Sequence, residues 1–219
     1  FFTSGGGESS DSSFKTARYY WRLRGKPEKT KVISRQWGYH GVTLAAMSAT
    51  GISGYWPMFE PRVPGFLHIP SPYPYRYEAP AGVIPGVAAA NELEQAMFGL
   101  EHRNVKPDMI QFAKAITSGY FPLGGIGISE EIAETLESGD AVWMHAYTYS
   151  AHPVGCAVAV RNLEIIQAED FPTQSAEKGA YLLKNLREAL ADHPHVGDVR
   201  GLGLMTAVEL VRDKATKEE

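Results

Sequence analysis

One lysine stands where the sequence could carry out carbonyl chemistry. Lys114 lies in the segment PDMIQFAKAITSGYFPLGG, between an apolar stretch and a turn rich in Gly and Pro. If Met109–Ile116 is a β-strand, Lys114 shares a face with Ile110 and Phe112, because side chains alternate along a strand. Burial on that face would favour the neutral amine, the form that attacks a carbonyl carbon. A strand-end lysine whose charge extends into solvent is the alternative, and on this segment alone it is the commoner case.

A second signal is the turn TSGGGESSDSSFK at residues 3–15, which follows a short predicted strand and precedes a predicted helix. Its glycines leave backbone N–H groups bare at the positive end of the helix dipole, and this arrangement suits a phosphate. Hydroxyls of Thr3, Ser4, Ser9 and Ser10 could add donors. The turn matches neither the P-loop nor the GxGxxG pattern, so a simple flexible turn is the alternative.

Two further turns carry side chains suited to a planar, phosphorylated ligand. Tyr39 and His40 follow the strand KVISRQW, where ligands gather in open α/β sheets, and an aromatic ring can stack there on a planar cofactor. Thr148 and Ser150 precede a helix that begins at Pro153. The alternative for Tyr39 is an aromatic side chain that covers the core, and the alternative for Thr148 and Ser150 is ordinary helix capping. With the lysine, these signals converge on pyridoxal phosphate, a planar aldehyde anchored by its phosphate.

The bulk composition excludes several function classes. The chain has 219 residues, of which 44% are hydrophobic and 21% charged, and its net charge of −4 gives no reason to expect a nucleic-acid partner. No apolar run approaches the roughly 20 residues of a membrane span, so no membrane partner is expected. Cys156 is the only cysteine, which excludes an internal disulfide or a cysteine metal cluster and favours the cytoplasm. We expect no metal site.

The order of predicted elements indicates an α/β fold. Strands at 31–37, 109–116 and 124–129 alternate with helices, a pattern typical of a layered fold with a largely parallel sheet. The first helix would bury Phe14, Ala17 and Trp21, which recur at helical spacing. Residues 51–85, rich in Pro, Tyr and Gly, are predicted as a long loop, and residues 87–102 as a helix.

Together the quoted segments resemble the class III, or omega, aminotransferases. The turn within FFTSGGGESSDSSFKTAR is similar to that family's phosphate loop, YHGVT to its cofactor-stacking segment, and PDMIQFAKAITSGYFPLGG to its Schiff-base segment. TYSAHPVGCA resembles the segment whose threonine reaches the partner subunit's phosphate, and VRGLGLM resembles the entry into the small domain. The motifs span most of the chain, and SGYFPLGG is most similar to the amine or omega-amino-acid:pyruvate branch.

The resemblance implies a set of cofactor-binding residues. These are Gly6, Gly7, Tyr39, His40, Lys114 and Thr148. Gly6 and Gly7 would hold the phosphate of pyridoxal 5'-phosphate, Tyr39 would face its ring, and Lys114 would bind it as a Schiff base. Thr148 would reach the partner's cofactor, which implies a homodimer with shared active sites.

The resemblance also implies an architecture. Residues 1–168 would form the large domain of a fold type I pyridoxal-phosphate transferase, a mostly parallel sheet with flanking helices. Residues 169–219 would begin a small α+β C-terminal domain.

The implied activity is a ping-pong transamination. An amine or omega-amino acid would donate its amino group, and a keto acid such as pyruvate would collect it, while Lys114 moves the proton between substrate and cofactor carbons. A class III aminomutase or decarboxylase-type relative is the enzyme alternative. A catalytically inactive scaffold or truncated derivative is the alternative from another class.

The sequence departs from the family between the loop region and the lysine segment. Family members carry a long stretch there, ending in an Asp-Glu-Val turn and a Gly-Arg-Thr-Gly motif, with the acid that pairs with the pyridine nitrogen. Here NELEQAMFGLEHRNVKPD passes directly to the lysine segment, and we place the join near Ala96–Met97. The family's N-terminal pocket segment and C-terminal domain are not seen either, so we expect the chain to be part of a longer protein.

Overall fold

The computed structural model describes residues 1–71, 73, 75, 76, 106–138 and 142–218. Its strands are β1 (Phe2–Thr3), β2 (Val32–Arg35), β3 (Phe66–Ile69), β4 (Met109–Phe112), β5 (Gly124–Ile128), β6 (Val196–Leu202) and β7 (Met205–Leu210). Its helices are α1 (Gly6–Leu23), α2 (Leu44–Ala49), α3 (Glu130–Glu137), α4 (Pro153–Ala168) and α5 (Phe171–Leu190). Short 3₁₀ turns cover Ser53–Met58 and Lys114–Ile116. The predicted α/β class is confirmed. Across the ranges just given, none of the helices combines the length and apolar character needed to cross a membrane.

The chain divides into two compact units, Phe1–Val160 and Arg161–Glu219. In the second unit, α5 packs on the antiparallel hairpin of β6 and β7. Arg200 in that hairpin forms ion pairs with Asp198 at 3.0 Å and with Glu209 at 3.4 Å. The division falls within helix α4, and the predicted domain boundary between residues 168 and 169 stays a prediction.

Strand pairing in the first unit is mixed. β5 lies between β1 and β4 and is antiparallel to both, while β2 and β3 pair in parallel. The sequence predicted a largely parallel sheet, and within the described strands of this unit β5 is the one that runs antiparallel to its neighbours. Residues 113–123 join β4 and β5, and this connection is too short for the crossover of a dozen or more residues that a parallel pair needs. The chain therefore turns back directly after the lysine.

Strand β3 falls inside the stretch that the sequence predicted as a loop. Phe66–Ile69 pairs with β2 in a register that places Ser34 opposite His68. The strand is only four residues long, and the prolines on both sides outweighed its apolar character in the sequence pattern. The prediction of a loop is therefore wrong for these residues. The predicted helix at 87–102 lies outside the described residues.

Helix α1 buries hydroxyl groups instead of the predicted apolar residues. Its buried side chains are Ser9, Ser10, Ser12, Ser13 and Thr16. Phe14, Ala17 and Trp21 are only half-buried, so that prediction is wrong. The hydroxyls can be buried because they donate to carbonyls four residues earlier, as Ser12 Oγ does to Glu8 O at 2.7 Å. Small side chains on this face suit the packing of α1 on β4 and β5.

Candidate active site

The N-terminus of α1 presents free backbone amides. Gly5 precedes the helix in an extended conformation, and its carbonyl accepts the first helical hydrogen bond from the amide of Ser9 at 3.1 Å. The amides of Gly6, Gly7 and Glu8 therefore have no carbonyl partner within the helix. Glu8 also fixes the preceding turn, because its Oε2 accepts from the amide of Ser4 at 2.7 Å. Free amides at the positive end of an 18-residue helix are suited to an anion.

Glycine at the start of α1 is not required by packing. A Cβ added at Gly5 would meet no atom within 4 Å, and one at Gly6 would meet only Ala113 Cβ at 3.6 Å. Each glycine in a helix costs about 0.5–1 kcal/mol relative to alanine. Gly41 differs, because its φ is +128° and an added Cβ would lie 2.6 Å from Gly7 Cα. Gly6 thus keeps the backbone bare toward open space, whereas Gly41 lets two backbones approach.

The turn after β2 brings Tyr39 and His40 to the start of α1. The amide of His40 donates to Thr50 Oγ1 at 3.0 Å, and its carbonyl accepts from Ser10 Oγ at 2.8 Å. Tyr39 stays 52% exposed, so its ring face is available to a ligand. Burial lowers the pKa of His40, and the charge of nearby His68 lowers it further. His40 is therefore neutral near pH 7 and adds no charge to the site.

Lys114 lies in a turn and not on a strand. β4 ends at Phe112, and Lys114 begins the 3₁₀ turn Lys114–Ile116 with a φ of +51°. The predicted strand through Ile116 is therefore wrong, and the lysine is exposed instead of lying on an apolar row. Non-glycine residues in the left-handed region carry about 1–3 kcal/mol of strain and cluster at functional sites. Thr117, which is buried, fixes the turn by donating its hydroxyl to Phe121 O at 2.7 Å.

These three elements enclose one cavity of about 370 Å³. It is lined by Gly6, Gly7, Ser10, Tyr39, His40, Gly41, Val42, Gln111, Phe112, Ala113 and Lys114. Five of the six predicted site residues are among them, including the glycines of the helix N-terminus and the lysine. The cavity combines an anion site, an exposed aromatic ring and one primary amine. That set can bind a phosphorylated, planar carbonyl compound.

Thr148, the sixth predicted residue, does not line this cavity. It is exposed in the turn before α4. Its segment is fixed to α1 by His145, whose Nδ1 lies 2.7 Å from Lys15 Nζ and whose Nε2 lies 2.8 Å from Ser12 Oγ. Because a lysine ammonium only donates, Nδ1 accepts, and the proton of the neutral ring is on Nε2. Burial and the charge of Lys15 lower the pKa of His145, which favours this neutral form.

Sequence reasoning missed one polar residue of the cavity. Gln111 is the third residue of β4 and bonds to α1 through two serines. Its only signal in the sequence is a polar side chain within the apolar run MIQF. Ser10 was named as a possible phosphate donor, but its hydroxyl bonds to backbone and to Gln111.

Comparison with known proteins identifies a family whose members this chain resembles along its length. The model of the family described as Aminotransferase class-III matches residues 1–95 and 83–219. A putrescine–pyruvate aminotransferase of Pseudomonas aeruginosa is 32% identical, covering 100% of this chain and 61% of its own length. A solved (S)-enantioselective omega-transaminase from Thermomicrobium roseum is 42% identical with a TM-score of 0.88, covering 100% of this chain and 62% of its own. An omega-transaminase from Pseudomonas jessenii in complex with PMP is 32% identical, with a TM-score of 0.88 and coverages of 100% and 62%.

The chain spans about three fifths of the length of the curated relatives that it matches. Its alignment with the Pseudomonas aeruginosa protein runs over 281 positions, although the chain has 219 residues. Within the aligned region, at least 62 positions of that relative therefore have no counterpart in this chain. The two pieces of the family match meet at residues 83–95, close to the join predicted at Ala96–Met97. That join stays a prediction.

Proposed function

The chain belongs to the class III aminotransferase family, and from this premise we propose that it is the cofactor-binding part of a transaminase. Its reaction would move an amino group from an amine or omega-amino acid to a keto acid such as pyruvate. The single observation that carries the proposal is the cavity that joins the amides of Gly6 and Gly7 to Lys114. An anion site and an amine in one cavity suit pyridoxal phosphate, the cofactor of this family.

The donor set fits three parts of that cofactor. The amides at the start of α1 would hold the phosphate, since the glycines there leave room for close approach. The exposed ring of Tyr39 would cover one face of the pyridine ring. Lys114 would hold the carbonyl group through its Nζ. His40 would line the site as a neutral side chain.

The chain's own residues then have defined tasks. Pyridoxal phosphate, when bound, supplies an electrophilic carbonyl and a conjugated ring that accepts the electron pair of the substrate carbon. Lys114 Nζ is the amine that holds this carbonyl, and in its free form it would accept a proton at one carbon and return it at another. The backbone amides of α1 bind and orient the phosphate and need no proton transfer. Thr148, exposed before α4, would bind the phosphate of a partner subunit in a homodimer.

A specific observation favours the second candidate, a catalytically inactive scaffold. Among the described residues, no Asp or Glu lines the cavity, and its polar side chains other than the lysine are Ser10, Tyr39, His40 and Gln111. A carboxylate at the pyridine nitrogen keeps that nitrogen protonated and strengthens its withdrawal of electrons. Without one, the chain would bind the cofactor but transfer protons slowly. The unmatched 62 positions of the Pseudomonas aeruginosa relative are the place to look for such an acid.

The substrate class, the cellular location and the oligomeric state of this protein are proposed by analogy with its relatives. The names of the relatives support diamines and omega-amino acids as donors, since one acts on putrescine with pyruvate and another, from Halomonas elongata, on diaminobutyrate with 2-oxoglutarate. This favours a transaminase over the aminomutase or decarboxylase-type alternative. We propose a cytoplasmic homodimer, with no nucleic-acid or membrane partner.

Absorbance titration with pyridoxal phosphate tests the proposal. The wild-type chain should develop a band near that of a lysine-bound cofactor, and Lys114→Ala should not. Lys106→Ala is the matched control, because Lys106 is also exposed and lies eight residues earlier in the chain. Addition of putrescine should then shift the wild-type spectrum. A band that persists in Lys114→Ala would refute the assignment, and a normal band with no response to amines would favour the inactive scaffold.

A further inference from the structure

Gln111 is the one polar residue within β4, and its side chain crosses to another element. Its Nε2 donates to Ser13 Oγ at 2.9 Å, and its Oε1 accepts from Ser10 Oγ at 3.2 Å. Both serines lie on α1 and are almost fully buried, at 2% and 5% exposure. A buried polar group that loses its partner costs free energy, so these two bonds favour one placement of α1 against β4.

The hydroxyl of Ser10 extends this connection to the third wall of the cavity. Ser10 Oγ also lies 2.8 Å from His40 O and 3.1 Å from Gly6 O, so its single proton is shared among three acceptors, of which His40 O is the nearest. One hydroxyl therefore meets the helix that presents the free amides, the turn that carries Tyr39, and the strand that leads to Lys114. A change at Gln111 would reach all three through Ser10.

The sheet itself gives no reason for a glutamine at this position. Gln111 pairs with Ile126 of β5 through the backbone, and the other residues of β4 are apolar. An apolar side chain of the same length would pack there without any need for partners. A glutamine whose two ends bond to one helix face instead fixes the separation between that helix and the turn that begins at Lys114.

We propose that Gln111 is a positioning residue that holds the amides of Gly6 and Gly7 at the distance from Lys114 that a phosphorylated carbonyl compound spans. The inference rests on the proposed function and deepens it. Gln111 acts through Ser10 and Ser13 and makes no covalent contribution. Its loss would weaken recognition of the phosphate end, while the lysine end stays intact.

The test compares three ligands on the full 219-residue chain: pyridoxal phosphate, pyridoxal without phosphate, and inorganic phosphate. Gln111→Met keeps the shape of the side chain and removes both hydrogen bonds. Affinity for pyridoxal phosphate, measured by absorbance, should fall about tenfold, the loss expected when a displaced α1 weakens one hydrogen bond between its amides and the phosphate. Affinity for inorganic phosphate, measured by NMR shifts of the Gly6 and Gly7 amides, should fall by a similar factor. Affinity for pyridoxal should stay within about twofold.

Two further variants test whether the loss of affinity comes from the bonds of Gln111. Gln174→Met is the matched control, because Gln174 is a glutamine of α5 whose side-chain amide, within the described part of the chain, bonds to Glu169 O and Lys178 Nζ of its own unit. It should leave all three affinities unchanged. The double variant Gln111→Met with Ser13→Ala should lose no more than Gln111→Met alone, because both changes remove the same bond. If Gln111→Met unfolds, Ser10→Ala should show the same selective loss with a smaller change.

Each outcome supports or overturns the inference. Equal losses for pyridoxal and pyridoxal phosphate would mean that Gln111 only supports the fold, and no loss for either phosphate ligand would overturn the inference outright. A wild-type chain that binds inorganic phosphate but not pyridoxal phosphate refutes the proposed function, while the phosphate arm still tests Gln111. A wild-type chain that binds no phosphate refutes the inference, because no phosphate site would exist to be positioned.

Discussion

Gly6→Ala should stabilise the chain and weaken cofactor binding at the same time. A Cβ at Gly6 would lie 3.6 Å from Ala113 Cβ, which is ordinary van der Waals contact, so the fold accepts the methyl group. Replacing glycine by alanine in a helix gains about 0.5–1 kcal/mol, which corresponds to a rise in melting temperature of about 1–4 °C for a chain of this size. The methyl group would, however, occupy the space through which a phosphate approaches the free amides.

The expected loss of affinity follows from the bonds at stake. A hydrogen bond between an amide and a charged phosphate is worth about 1.5–3 kcal/mol, so the dissociation constant for pyridoxal phosphate should rise about 10- to 150-fold. Gly54→Ala is the control, because an added Cβ there also meets nothing within 4 Å but the residue does not line the cavity. Differential scanning calorimetry and absorbance titration measure the two effects. A destabilised Gly6→Ala chain with unchanged affinity would mean that the glycine serves packing, and the phosphate assignment would be wrong.

The remaining predictions concern the elements that hold the site. Gly41→Ala should lower the free energy of unfolding, measured by urea titration, by about 2 kcal/mol or more. The reason is that Gly41 has a φ of +128° and that an added Cβ would lie only 2.6 Å from Gly7 Cα. An unchanged urea midpoint would refute this close approach. Ser12→Ala should cost about 1 kcal/mol and speed amide exchange in residues 142–150, since His145 loses a partner; unchanged exchange would contradict that anchoring. Acidification should destabilise the chain, because the pKa values of His40 and His145 are lower in the fold than in the unfolded chain. The unfolded chain therefore binds more protons, and the stability that is present above about pH 6.5 is lost as the pH falls below that value. His40→Asn should flatten this pH dependence in thermal melts, and an unaltered slope would contradict the assignment.

The free amides of α1 were predictable because the glycine run before the helix determines the local conformation, whereas the turn at Lys114 was not predicted. A glycine run between a strand and a helix leaves backbone amides free wherever it occurs, so the free amides could be predicted from residues 3–15 alone. Ser129 shows a similarly local arrangement at the start of α3, where its Oγ accepts from the amide of Ile132. Tyr39 and Lys114 follow strands β2 and β4, which lie in different sheets of the described structure, and the cavity nevertheless brings the two residues together.

The positions that the sequence did not reveal depend on partners distant in the chain. The strand at Met109–Phe112 ends early because β5 must pair with it in the antiparallel direction, and nothing in AKAI indicates that turn. Gln111 acquires its role from Ser10 and Ser13, about a hundred residues earlier. The hydroxyl face of α1 follows from its hydrogen bonds back to its own carbonyls, which a count of apolar residues does not detect.

Borohydride reduction followed by peptide mass mapping tests the central claim most directly. The chain is incubated with pyridoxal phosphate, reduced and digested, and the peptide that contains Lys114 is examined for a pyridoxyl group. The account predicts one modified lysine, Lys114, with the modification suppressed by competing inorganic phosphate and absent in Lys114→Ala. Modification spread over exposed lysines such as Lys15 and Lys106, or no modification of Lys114, would contradict the claim that the cavity is a pyridoxal-phosphate site.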